Sequence, residues 1–177
     1  MKSRAEVEDA ANSLRALAGE LTAPIDPFRV AHALGARVVV KNFSDDLSGL
    51  LVRKGDAATI AISASDGPLR QRFTVAHECG HLKLGHVGEV FIDKQVINRR
   101  DGNSSLAIDE QEIEANQFAA SLLMPRDQVV AYLDQLVQVH KQRGVLIELV
   151  ANKFRVSKPA MEFRLVNLGL IASPPED

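Results

Sequence analysis

Apolar residues recur at helical spacing in several parts of the chain and cluster in short β-branched runs in others. Residues 4–19 place Val7, Ala10, Ala11, Leu14, Leu17 and Ala18 on one face and then meet Gly19, which predicts an amphipathic helix with a glycine stop. "DPFRVAHALGARVVVKNF" reads as a short helix ended by Gly35 and a strand from Arg37 to Val40. "LSGLLVRKGDAATIAIS" reads as a hairpin, because two apolar runs flank the turn-forming "KGDA". From Leu69 to Leu84 the period returns to helical, with Phe73, Ala76, Gly80 and Leu84 nearly in register. Residues 85–109 carry weaker signals and read as loop with a short strand at "EVFI". A second strong helix, "DEQEIEANQFAASLLMP", opens on acidic residues and closes at Pro125. In "GVLIELVANKFRVSKPAMEFRLVNLGLI" two helices are predicted around the turn "RVS", with Ser157 as N-cap of the second.

No repeat, low-complexity tract or Pro/Gly/Ser-rich linker divides the 177 residues, and that length supports one substantial core. The expected fold is α+β in a single domain. Residues 1–66 hold the N-terminal helices and sheet, 67–135 the two strong helices, and 136–177 a helical subregion resembling a helix-turn-helix. The sheet is expected to pack on both strong helices.

Composition narrows the classes of function. A net charge of -2 offers no global basic footprint for nucleic acid or membrane, and a single cysteine excludes an intrachain disulfide. The charged N-terminal stretch lacks the apolar core of a signal peptide, and no segment approaches the ~20 apolar residues of a membrane span. These features point to a soluble, cytoplasmic protein.

The chemistry concentrates in "RFTVAHECGHLKLGH". At ~100° per residue, His77 and His81 project from one helix face a turn apart, so two imidazoles can close on one metal ion. Glu78 lies on the flank of that face, suited to reach a metal-bound water as general base. Zinc fits this H-E-x-x-H pattern best, since two neutral imidazoles and a carboxylate suit its tetrahedral preference and leave one position open.

A third ligand is required, and Asp109, Glu110, Glu112 and Glu114 are the acidic residues of the second helix. Ala115, Phe118, Ala119, Leu122 and Leu123 define its apolar stripe. Glu112 lies about 50° from the centre of that stripe and Glu114 about 110° from it. A carboxylate on the buried edge is costly unless paired or metal-bound, so Glu112 is the expected ligand and Glu114 is expected to face away. Asn116, a turn further on, is placed to hydrogen-bond a ligand.

The blocks "RFTVAHECGH", "EIEANQFAASLLMP" and "LVANKFRVSKPAMEFRLVNLGL" together resemble the ImmA/IrrE family of metallopeptidases over most of the chain. The resemblance implies a small gluzincin-like fold, zinc on two helix histidines and the first glutamate of E-x-x-A-N, here Glu112, and cytoplasmic proteolysis. It also implies a protein partner, a helix-turn-helix repressor of a mobile element or stress response. Cys79 departs from the usual aliphatic residue and, facing away from the histidines, reads as core.

Other residues have weaker readings. His86 is either a transition-state hydrogen-bond donor near the cleft or a plain surface histidine, and Tyr132 either stabilises an oxyanion or packs. Arg70 and Arg72 read by default as solvated charges, and His32 and His140 have no assigned role. Lys141, Arg143, Lys153, Arg155, Lys158 and Arg164 make the last third basic, so the alternative is a DNA-binding regulator or toxin-antitoxin component with a structural or vestigial zinc site. Against DNA binding, Arg155 occupies the turn where glycine is usual and Pro159 falls early in the second helix.

Overall fold

A computed structural model describes residues 1–43, 47–86, 90–94, 106–140 and 142–173, with backbone alone for 90–94 and 106–109. The fold is α+β, as expected. In chain order it comprises α1 (Arg4–Leu17), α2 (Pro27–Ala33), β1 (Ala36–Lys41), β2 (Leu47–Lys54), β3 (Ala57–Ser63), α3 (Pro68–Leu84), β4 (Val90–Lys94), α4 (Leu106–Leu123), α5 (Arg126–Leu136), α6 (Arg143–Phe154) and α7 (Lys158–Asn167). No helix among the described residues is long and apolar enough to cross a membrane.

The sheet runs in the order β1-β3-β2-β4. β2 and β3 form the predicted hairpin, with Lys54 opposite Ala57 across a two-residue turn. β1 lies parallel to β3, and β4 closes the other edge antiparallel to β2. Val38, Ile60 and Leu51 stand side by side across three strands, and Ile60 and Leu51 are fully buried. That alternation gives the sheet one apolar face to pack on helices. Between Leu47 and Gly49 the β2–β4 register shifts at Ser48, whose buried hydroxyl accepts from Arg70 Nε at 3.1 Å. The bulge thus ties the sheet to the first turn of α3.

Helix α1 begins with a capping box, Ser3 accepting from the Glu6 N–H while Glu6 accepts from the Ser3 N–H, and it buries Val7, Ala11 and Leu14. It packs against α4, which in turn packs on α3. α4 begins at Leu106, ahead of the acidic run expected to open it, and ends before Pro125 as predicted. The one helix that the pattern did not predict is α5. Pro125 stops α4 but also serves as N-cap of the next helix, where Val129 and Leu133 supply a short buried face.

Helices α6 and α7 meet around "RVS", and the Ser157 hydroxyl caps α7 by accepting from the Ala160 N–H. Two buried arginines fasten this subregion to the rest, which corrects their reading as solvated or DNA-facing charges. Arg72 on α3 donates to the Ile25 carbonyl at 2.7 Å and to the Arg155 carbonyl at 3.2 Å. Arg164 on α7 donates to Glu8 of α1 at 2.6 Å and to the Met124 carbonyl at 3.1 Å. Burial lowers the Arg72 guanidinium from its ordinary range, with Arg155 nearby adding to the effect.

Arg155 ends α6 with φ 53° and ψ 51°, the left-handed conformation that costs an L-residue about 1–2 kcal/mol. Replacing it by glycine removes that cost and part of it returns as chain entropy in the unfolded state. The expected gain for Arg155→Gly is about 0.5–1 kcal/mol, a rise in melting temperature of about 1–4 °C in thermal unfolding. A fall would show that the arginine side chain itself holds the turn.

Candidate metal centre

Helix α3 carries an unusual load of buried polar side chains. Thr74, His77, Glu78 and His81 are all buried, alternating around the helix with Val75, Ala76 and Cys79. Such a helix is stable only when its polar groups find partners, and here many of them come from α4. The two helices meet at Gly80. A Cβ added there would lie 3.1 Å from the Ala115 Cα, 3.2 Å from its carbonyl oxygen and 3.2 Å from the Phe118 Cβ. Only glycine permits this approach without displacement, and it brings the α4 donors within reach of α3.

His77, His81 and Glu112 converge as the periodicity argument expected. His77 Nε2 lies 3.0 Å from His81 Nε2, and the Glu112 carboxylate lies 3.3 Å from His77 Nε2 and 3.5 Å from His81 Nε2. Tetrahedral zinc with ligands near 2.1 Å requires donor separations of about 3.4 Å. The donor set therefore fits zinc in both chemistry and spacing.

The opposite nitrogen of each ring is also engaged. Asn116 Oδ1 lies 3.1 Å from His77 Nδ1, so this ring donates through Nδ1 and turns Nε2 toward the triad. His81 Nδ1 lies 2.9 Å from His86 Nδ1. Burial, and then the neighbouring His77, push the His81 imidazole down to about 3, so it is neutral at ordinary pH. Glu78 is fully buried on α3 between the two histidines in sequence.

His86 and Glu114 are where the residue pattern misled. His86 is not a surface histidine, for its buried ring bridges His81 and Glu114, with Nε2 3.1 Å from the Glu114 carboxylate. Glu114 does not face away but is 4% exposed, because α4 is covered by α3 on one side and by α1 and the segment before it on the other. Lys2 donates its backbone N–H to Glu114 and places Nζ 3.6 Å from it. Burial alone would raise the Glu114 carboxyl, yet hydrogen bonds from Lys2 and His86 outweigh it and hold the group below the usual range. A signal for His86 was present in the sequence. Glycine after the last helical residue predicts a Schellman turn, which sets the second residue beyond the helix against the one three places inside it, here His86 against His81.

The remaining candidates lie elsewhere. Cys79 is fully buried and its thiol is raised by burial, as suits a core residue. Tyr132 sits on α5 with Lys153 Nζ 5.8 Å from its ring centroid.

Two histidines one helical turn apart, with a glutamate from a second packed helix, form the donor set of an HExxH-type metallopeptidase. The chain belongs to the Peptidase M78 family: residues 31–166 match its IrrE N-terminal-like domain, which bears out the resemblance read from the sequence. No curated protein matches the chain.

If the α3–α4 approach positions the triad, Gly80→Val should lower both the melting temperature and the affinity for zinc. Gly67→Ala, where an added Cβ meets nothing within 4 Å, should change neither appreciably. Thermal unfolding and zinc titration of both variants test this. Unchanged zinc affinity in Gly80→Val would show that the triad does not depend on the contact.

Proposed function

We propose that this chain is a zinc-dependent endopeptidase, with His77, His81 and Glu112 as ligands and Glu78 as general base. The observation that carries the reading is the spacing of the three donors, 3.0, 3.3 and 3.5 Å, at the junction of two buried helices. A zinc ion held there would supply Lewis acidity to the scissile carbonyl and to an attacking water. Glu78 accepts a proton from that water as its oxygen bonds to the carbonyl carbon. It then passes the proton to the leaving nitrogen as the C–N bond breaks. His81, kept neutral chiefly by burial, retains its lone pair for the ion throughout.

The substrate we infer is a folded protein rather than a free peptide pool, and specifically a helix-turn-helix repressor whose cleavage derepresses a mobile-element or stress operon in the cytoplasm. This part rests on the family resemblance. An extended loop or linker of the partner adds to a free sheet edge. Of the two edges described, β4 packs beside α3, whereas β1 packs beside α2. Direct DNA contact is not part of the proposal. Arg164 is buried against Glu8, Arg143 pairs with Glu162 at 2.9 Å, and Lys158 lies 3.9 Å from Glu148.

The purified chain should bind one zinc, and His77→Ala or His81→Ala should abolish stoichiometric binding in metal analysis. Retention of zinc by both variants would refute the ligand assignment. Glu78→Gln should keep the zinc but slow repressor cleavage by ~10²-fold or more. The assay mixes zinc-loaded protein with a repressor encoded beside it and reads fragments by mass spectrometry, with and without chelator. Cleavage undiminished in Glu78→Gln would sink the mechanism. Absence of cleavage together with salt-sensitive DNA binding would favour the regulator reading.

A further inference from the structure

Behind the triad a second run of polar contacts leads from His81 to the N-terminal segment, and the peptidase chemistry above does not use it. Gly85, at φ 69°, ends α3 in a Schellman turn in which the His86 N–H donates to the His81 carbonyl at 3.1 Å. The chain thereby doubles back and stands the His86 ring edge-on to His81, with centroids 4.9 Å apart and planes at 76°. Arg53 of β2 donates to the His86 carbonyl at 3.0 Å and fixes the turn to the sheet. Beyond His86 lies Glu114, itself held by the Lys2 N–H and ammonium.

The protons along this run are dictated by what each group can do. A carboxylate only accepts, so the hydrogen between His86 and Glu114 sits on His86 Nε2. A neutral imidazole has one N–H, which leaves His86 Nδ1 an acceptor. His81 must then donate through Nδ1, and its lone pair lies on Nε2, the nitrogen that faces His77 and Glu112. The opposite tautomer of His81 would aim a hydrogen into the donor triad. Asn116 does the same for His77 in a single step.

We propose that Glu114, acting through His86, is a positioning residue that selects the tautomer and orientation of His81 for metal binding, and that Lys2 holds Glu114 in that role. The competing explanation is that Glu114 is merely a buried ion pair fastening the N-terminal segment to α4. The proposal rests on the zinc reading above, and the two fail separately.

The test is zinc affinity measured against a competing chelator, with circular dichroism of each variant to establish folding. Glu114→Ala and His86→Ala should each bind zinc about 10–100-fold more weakly than the wild type. Glu114→Gln keeps an oxygen that accepts from His86 Nε2, so it should stay within a few-fold of wild type. Long-range ¹H–¹⁵N spectra of the zinc-loaded wild type and of Glu114→Gln should show His81 protonated at Nδ1 and metal-bound at Nε2. His86→Ala leaves the Lys2–Glu114 pair in place, so it decides the question even if Glu114→Ala fails to fold. Wild-type zinc affinity in His86→Ala, or in a folded Glu114→Ala whose melting temperature alone has dropped, would overturn the proposal. Zinc binding that survives His77→Ala would instead overturn the site assignment on which it rests.

Discussion

The contact between α3 and α4 at Gly80 is the constraint on which the rest of the molecule depends. A Cβ on residue 80 would come within little more than 3 Å of the Ala115 backbone and the Phe118 Cβ, and the two helices carry between them every donor of the candidate centre. Ordinary side chains at this crossing would separate helices by more than the donors can span, since interaxial distances follow the residues at the contact. Around the crossing the apolar load is dense: Val75, Ala76 and Cys79 from one helix, Ala115, Phe118, Ala119 and Leu122 from the other, all fully buried. The geometry of the polar triad is thus held by apolar packing that cannot relax without leaving a cavity or a clash.

Burying three histidines and two glutamates beside a half-buried third glutamate is unfavourable unless the polar groups have defined partners. For the two histidine ligands the structure supplies partners by running contacts outward from the triad to the surface: Asn116 behind His77, and His86, Glu114 and Lys2 behind His81. The same logic explains Arg72 and Arg164. Each sits at a helix junction where backbone carbonyls would otherwise lack a donor, and each links the C-terminal helices to the body of the domain. What resembles a helix-turn-helix in sequence is therefore fixed scaffolding around α3 and α1.

Most of this was legible in the residues because the strongest local signals coincide with the functional ones. The hairpin, the glycine stops after α1, α2 and α3, and the Ser157 cap follow from turn and cap chemistry acting over four or five residues. His77, His81 and Glu112 were legible because ligand spacing and apolar periodicity select the same faces. The errors have identifiable causes. A periodicity argument assumes one buried face per helix, and α4 has two, so Glu114 was assigned to solvent although α1 and Lys2 cover it. Arg72 and Arg164 have a separate cause, since composition cannot tell an arginine that snorkels from one whose guanidinium meets a distant carbonyl. Helix α5 was missed because a proline that ends one helix was not also read as the start of another.

The burial that made these residues hard to place also suits them to metal chemistry. A solvent-exposed histidine binds a proton below about pH 6.5 and so competes with any metal for its lone pair. His81 is shifted down to about 3 by burial first and His77 second, so at neutral pH protons do not compete with a metal for its lone pair. The first cause of the shift is the exclusion of water by the α3–α4 core, and the second is the repulsion between two imidazolium charges that would arise if His77 and His81 were protonated together. The close crossing at Gly80 therefore acts twice, once by setting the distances between donors and once by excluding the water that would favour a protonated His81.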